Sequence, residues 1–203
     1  LEKSFVQCPR GPAPNTVLPK ASTRGLKIVT GIAPCLGAVV GSDYPAMASW
    51  VDKRLSKDDF LFSVIASADE LPTQSALLVA RYAMTAKANY ASRALPPCVT
   101  LEPLAAFDNK LVSAVCASVQ LPHPLSDKAF FSLQQPIGLG GCGIRSMSFV
   151  APIAYYCASE QSSDVTIPAL ALRHFSAPPM FITERDRCYQ ILRTLGVLTT
   201  LSQ

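Results

Sequence analysis

The sequence lacks most of the motifs that mark common catalytic and metal centres. Its only histidines, His123 and His174, have no His or Cys at metal-ligand spacing. The seven cysteines are odd in number, widely spaced and without a C-x-x-C, which argues against a zinc ribbon and a compact disulfide scaffold. No G-x-S-x-G marks a nucleophile elbow. We therefore expect no metal and no cofactor.

Long apolar runs are also missing, since none reaches the roughly 18 residues that a membrane span needs, and no transmembrane helix is expected. Charged residues make up only 16% of the 203 residues, whereas apolar residues make up 49%. This composition is typical of a globular chain with a sizeable core, arranged as one large or two small domains. Several cysteines lie in apolar helical patterns, where a free thiol acts as a small core residue. Free thiols of this kind indicate that the protein is located in an intracellular, reducing compartment, but they do not identify the compartment.

Basic charge is concentrated at the N-terminus. The first 30 residues carry five basic side chains against Glu2, so they account for the whole net charge of +4. Three of these side chains, Lys20, Arg24 and Lys27, are candidates for contact with nucleic acid. The plainer alternative is a solvated tail. Residues 1–25 are rich in proline and without periodicity, which predicts an extended arm or linker.

Apolar periodicity predicts a mostly α-helical, bundle-like domain with a small β element near the N-terminus. The β element consists of Leu26–Thr30 and a second segment within residues 31–41. We divide the remainder into a helical region, 26–122, and a glycine-turn and C-terminal helical region, 123–203. Helices are predicted at about 43–55, 60–68, 73–95, 100–121, 127–133, 147–159 and 185–195.

A cluster of four glycines, Gly138, Gly140, Gly141 and Gly143, comes directly before the helix predicted at Met147. Glycine adopts positive φ and permits close backbone approach, so the cluster predicts a structural turn, with at least one of its two central glycines at positive φ. Ser146 or Ser148 can cap the helix that follows.

The same letters fit G-x-G-x-x-G, which opens the alternative of a phosphate site at the helix N-terminus. The segment before them is a poor strand and no βαβ unit follows, so we prefer the structural turn. Arg145 lies too close to the helix N-terminus to be favoured by the dipole, which indicates a partner. That partner is either a carboxylate of this chain or the phosphate or acidic group of a bound molecule, and we favour the internal carboxylate.

Four motifs, in the same order, resemble the region that follows the palm in non-LTR retrotransposon-type reverse transcriptases. The most specific reads Gly-Gly-Cys-Gly-Ile-Arg-Ser at 140–146, followed by Ala-Pro-Ile-Ala-Tyr-Tyr-Cys-Ala-Ser at 151–159. Cys142 stands where that family usually has leucine. Weaker similarities lie at 26–37, 89–97 and 106–108.

The resemblance implies that residues 26–122 form a thumb-like region that contacts the backbone of RNA or of an RNA/DNA duplex. It suggests Arg81, Tyr90, Arg93 and Arg145 as contacts, together with Tyr82, although Arg81, Lys87 and Arg93 are spread around one helix and form no single stripe. The alternative for the two tyrosines is a half-buried position where helices pack. The family's catalytic signature, an aromatic residue before two aspartates, is absent, because Asp58 and Asp59 follow Ser56-Lys57. We expect this acidic pair to be structural.

Two functions remain open at this stage. The chain is either a non-catalytic segment that holds nucleic acid, or a structural subunit of a larger ribonucleoprotein assembly derived from such a segment. Whether it belongs to an enzyme stays open; as part of a longer protein, the resemblance would imply an RNA-directed DNA polymerase.

Overall fold

Two pairs of short strands come before the helices. The computed structural model describes residues 5–8, 23, 27–67, 69–171 and 179–196. Strand β1 (Phe5–Cys8) lies within the predicted arm and pairs in parallel with β2 (Lys27–Thr30). Strands β3 (Ile32–Cys35) and β4 (Ala38–Gly41) form an antiparallel hairpin, in which Ile32 is opposite Gly41.

Most of the rest of the described chain is helical, which confirms the predicted fold class. The helices are α1 (Tyr44–Leu55), α2 (Phe60–Ala66), α3 (Thr73–Val79), α4 (Thr85–Ala94), α5 (Pro97–Ser118), α6 (Asp127–Gln134), α7 (Met147–Ala171) and α8 (Pro179–Thr194). A π-turn over Ala80–Met84 joins α3 to α4, so the helical backbone is continuous across the three segments. Short 3-10 turns lie at Ser56–Asp58 and Ile137–Leu139.

Helix α5 is the centre of the core and packs against α1, α2, α3, α4 and α7. Its apolar positions, including Leu104, Leu111 and Val115, are almost completely buried. Phe107 meets Phe62 of α2 edge to face, with 5.5 Å between ring centroids. Helix α7 packs along α4 and α5, and α8 packs on α7. No described helix is both long and apolar enough to cross a membrane.

Some predicted helix bounds were wrong. Helix α5 begins at Pro97 rather than near Thr100, because proline suits the first helical position, where no N–H is needed. Helix α7 continues beyond Ser159 to Ala171, and α8 begins at Pro179 rather than Arg185. The second predicted helix ends at Ala66, where the next residue is extended.

Candidate functional site

A cavity of about 440 Å³ lies between the π-turn and α4 on one side and residues 134–150 on the other. We call it the arginine groove, because two guanidinium groups line it. None of its lining residues is acidic. The lining residues are Arg81, Tyr82, Thr85, Ala86, Asn89, Gln134, Pro136, Ile137, Gly143, Arg145, Met147 and Val150.

Arg81 enters the groove from the π-turn. Its Nη2 donates to the Tyr82 hydroxyl at 2.6 Å, and its guanidinium carbon lies 4.2 Å from the centroid of the Tyr82 ring. The Nε atom is buried and has no hydrogen-bond partner among the described residues. Thr85, one turn later, donates its hydroxyl to the Arg81 carbonyl. The π-turn, a feature frequent at functional sites, thus places a cation in the lining of the groove.

Arg145 enters the groove from the opposite side, after the glycine turn. Its side chain is exposed and forms no ion pair with any described carboxylate. The internal carboxylate that we favoured for it is therefore not found in the described part of the chain. Arg81 and Arg145, 64 positions apart in sequence, come together at one cavity with no acidic neighbour in its lining.

The N-terminus of α7 is occupied by Asp108 of α5, a side chain only 7% exposed. Asp108 Oδ1 accepts from the Met147 amide at 2.9 Å, and Oδ2 accepts from the Ser148 amide at 2.9 Å. The hydroxyls of Ser146 and Ser148 donate to the same carboxylate at 2.9 and 2.7 Å. An anion would have to compete with this carboxylate for the amides, which argues against the phosphate site considered at the helix N-terminus.

Ser146 also caps α7 locally, as one of the two predicted serines. Its hydroxyl accepts from the Phe149 amide at 3.2 Å. The free amides in the first turn of α7 therefore have two kinds of acceptor, the hydroxyl of a local serine and the carboxylate of Asp108 on α5.

The glycine turn owes its shape to three of its four glycines. Gly140 and Gly143 have φ of +82° and +69°, which confirms positive φ in this turn. Gly141 is needed for close approach, since a Cβ there would lie 2.1 Å from the Gln135 carbonyl oxygen. Gly138 meets no such constraint, because a Cβ at that position has no neighbour within 4 Å. A structural turn, as preferred from the sequence, accounts for these positions.

Two other predicted contacts with described side chains, Tyr90 and Arg93, do not line the arginine groove. The Tyr90 hydroxyl donates to the Leu36 carbonyl at 2.6 Å and fastens the β3–β4 turn to α4. Arg93 is exposed on α4. Lys27 lies in β2, and its side chain is not among those that the structure describes. Lys20, Arg24 and His174 lie outside the described residues altogether.

The adjacent aspartates take part in ion pairs across the fold. Asp58 lies 2.8 Å from Lys87 Nζ, and Asp59 lies 2.6 Å from Lys110 Nζ. The hydrogen bond from Lys87 lowers the pKa of Asp58. Across the described residues, no group of three or more His, Cys, Asp or Glu side chains could hold a metal ion. The pair joins α4 and α5 to the turn after α1, which is a structural role.

A second buried carboxylate, Glu184 of α8, accepts from the Cys98 amide at 3.2 Å, near the start of α5. Burial raises the pKa of the Cys98 thiol to about 11, and the Glu184 charge adds to the effect. Burial likewise raises the pKa of Cys188 to about 11. A thiol that remains protonated is a poor nucleophile and a poor metal ligand, so this cluster does not favour thiol chemistry.

Three residues of the site were missed from the sequence. Asn89 and Gln134 could not be recognised from the sequence, because a single carboxamide on a helix belongs to no motif that marks a binding site. Asp108 did give one, since it lies between Leu104 and Leu111 on the apolar stripe of α5, where an acidic side chain must find donors.

Comparison with known proteins found no match to this chain among protein-family models, curated proteins or solved structures. The likeness to reverse transcriptases therefore depends only on the motifs quoted above. Any function has to be argued from those motifs and from the groove.

Proposed function

We propose that this chain is a non-catalytic helical segment that contacts the backbone of nucleic acid through the arginine groove. The observation that carries the proposal is the meeting of Arg81 and Arg145 at one cavity without an acidic lining residue. The resemblance to the region after the palm of reverse transcriptases supports the same reading, because its most specific motif contains Arg145.

The chemistry of the groove suits phosphate. Guanidinium groups bind phosphate oxygens through paired hydrogen bonds, and they remain charged at every physiological pH. A bound phosphate would accept hydrogen bonds from the two arginine side chains that line the groove.

The test is binding of a fluorescent RNA/DNA hybrid by anisotropy, with Arg145→Gln as the variant and Arg193→Gln as its matched control. Arg193 is an exposed arginine of α8 that does not line the groove. Loss of one charged hydrogen-bond donor is expected to weaken affinity about tenfold, and to lower the salt dependence by about one phosphate contact. Equal affinities of wild type and Arg145→Gln would contradict the proposal.

The second candidate, a structural subunit of a larger ribonucleoprotein assembly, is favoured by apolar side chains that remain in solvent near the groove. Leu139 is 74% exposed and Ile137 is 57% exposed, on the turn that precedes Arg145. Phe149, at the start of α7, is 60% exposed. Neighbouring subunits would bury such side chains.

The two candidates are separated by Leu139→Ser, which removes apolar surface without changing charge. If the chain is a structural subunit, the Leu139→Ser variant should dissociate from the assembly. The measurement is gradient sedimentation of the tagged protein in lysates of the cells that naturally produce it. A segment that acts only through the groove would sediment as wild type and keep its affinity for the hybrid.

A further inference from the structure

We infer that the arginine groove takes one unpaired nucleotide, at a strand end or a bulge, rather than following a continuous duplex. This inference rests on the proposed nucleic-acid function and narrows its ligand. It is argued from the size of the cavity, from the charges outside it and from the carboxamides inside it.

The size of the cavity matches a single small ligand. Its volume of about 440 Å³ lies within the roughly 300–1,000 Å³ of sites that enclose small molecules. A duplex presents a convex, regular backbone, which is usually met by a row of basic side chains along a surface. A concave pocket between two helical segments instead fits a nucleotide that has left the stack.

Two of the described lysines outside the groove, Lys87 and Lys110, are held in ion pairs and so add little free charge to it. Lys87 is paired with Asp58 and also donates to the Leu55 carbonyl at 2.8 Å. Lys110 is paired with Asp59. These two lysines are neutralised by their partners, so they add little attraction for a long stretch of phosphates.

The groove also carries groups that recognise bases. Asn89 and Gln134 both line it, and neither side chain forms a hydrogen bond with another described residue. A carboxamide offers a donor and an acceptor side by side, which is the pattern that pairs with the edge of a base. Phosphate needs only donors, so the carboxamides indicate a ligand with more than phosphate.

Flat and apolar surfaces complete the pocket. The Arg81 guanidinium lies over the Tyr82 ring at 4.2 Å, which makes a layered platform on which a base can stack. Ile137, Met147 and Val150 provide apolar contact for the base or the sugar. We assign the phosphate to Arg81 and Arg145, and the base edge to Asn89 and Gln134.

The experiment uses the full chain and two RNA/DNA hybrids of the same sequence, one blunt and one with a single unpaired 3′ nucleotide, in separate versions for the four bases. The unpaired nucleotide is expected to raise affinity about tenfold for at least one base, since base stacking contributes about 1–3 kcal/mol. The variant Asn89→Ala/Gln134→Ala should keep the gain from stacking but lose the difference in affinity between the four bases. Arg193→Gln serves as the control, and thermal melting checks that each variant is folded.

Each outcome decides a different claim. If neither hybrid binds, the proposed nucleic-acid function fails. If both bind equally to the wild type, the function stands and the single-nucleotide inference is overturned. If the double variant still discriminates between the four bases as the wild type does, the assignment of the carboxamides to the base edge is wrong.

Discussion

Asp108 is a buried side chain whose replacement should have a large effect on the free energy of unfolding. Its carboxylate accepts four hydrogen bonds at the N-terminus of α7 from a position that is 7% exposed. The sharpest perturbation is Asp108→Asn, because the amide has nearly the same shape and removes one acceptor together with the negative charge.

The magnitude follows from the donors left behind. The asparagine oxygen can serve one helix amide, but its NH₂ faces the other amide, so at least one buried N–H loses its partner at a cost of about 1–3 kcal/mol. Loss of the charge from the positive end of the helix dipole adds about 0.3–1 kcal/mol. We expect Asp108→Asn to lower the free energy of unfolding by about 2–3 kcal/mol. Asp108→Ala, which leaves both amides unpaired, should lower it by about 3–5 kcal/mol.

The assay is urea unfolding followed by far-ultraviolet circular dichroism. With a slope of about 2 kcal/mol per M, a loss of 2–3 kcal/mol moves the midpoint down by roughly 1 M. Glu102→Gln is the matched control, because it makes the same carboxylate-to-amide change on the same helix at an exposed position. The control should stay within about 0.5 kcal/mol of wild type. If Asp108→Asn unfolds at the same midpoint as Glu102→Gln, the carboxylate does not hold α7 to α5 and the reasoning is refuted.

Three further predictions concern the glycine turn and the buried acids and thiols. Gly141→Ala should destabilise by about 2 kcal/mol or more, because its Cβ would meet the Gln135 backbone, whereas Gly138→Ala should be nearly neutral; equal melting temperatures of the two variants would contradict this. Glu184→Gln keeps an acceptor for the Cys98 amide but removes the charge that helps to raise the pKa of the Cys98 thiol. Maleimide labelling of Cys98 at pH 8 should therefore accelerate about three- to tenfold, with exposed Cys157 unchanged as the internal control, and an unaltered rate would show that the charge has no influence. Burial raises the pKa of Tyr155 from 10.0 to about 12 and that of Cys188 from 9.0 to about 11. The unfolded chain then loses these protons at lower pH than the folded chain does. The contribution of the two groups to the free energy of unfolding should therefore be fully present below about pH 9 and be lost as pH rises through 11 to 12; a urea midpoint that is the same at pH 8 and pH 11 would contradict this prediction.

The local features of this protein could be predicted from the sequence. Helix positions followed from apolar spacing and from serine or proline near the ends, since both depend on residues only a few positions apart. The Ser146 cap and the positive φ of the glycine turn were accessible for the same reason. The predicted ends of the helices were less accurate. Helix α7, for example, continues beyond Ser159 to Ala171, and the local pattern at its start does not determine where it ends.

The site itself was decided by tertiary structure. Arg81 and Arg145 were each singled out from the sequence, yet only the packing of α7 along α4 brings them to one groove. Asp108 reaches the Met147 amide across 39 positions, and Lys87 reaches Asp58 between different helices. Periodicity tells which face of a helix is buried, but not the neighbour on which that face packs or the rotation between the two. Contacts between distant residues depend on that choice of neighbour, and it is made when all the helices bury their apolar faces together.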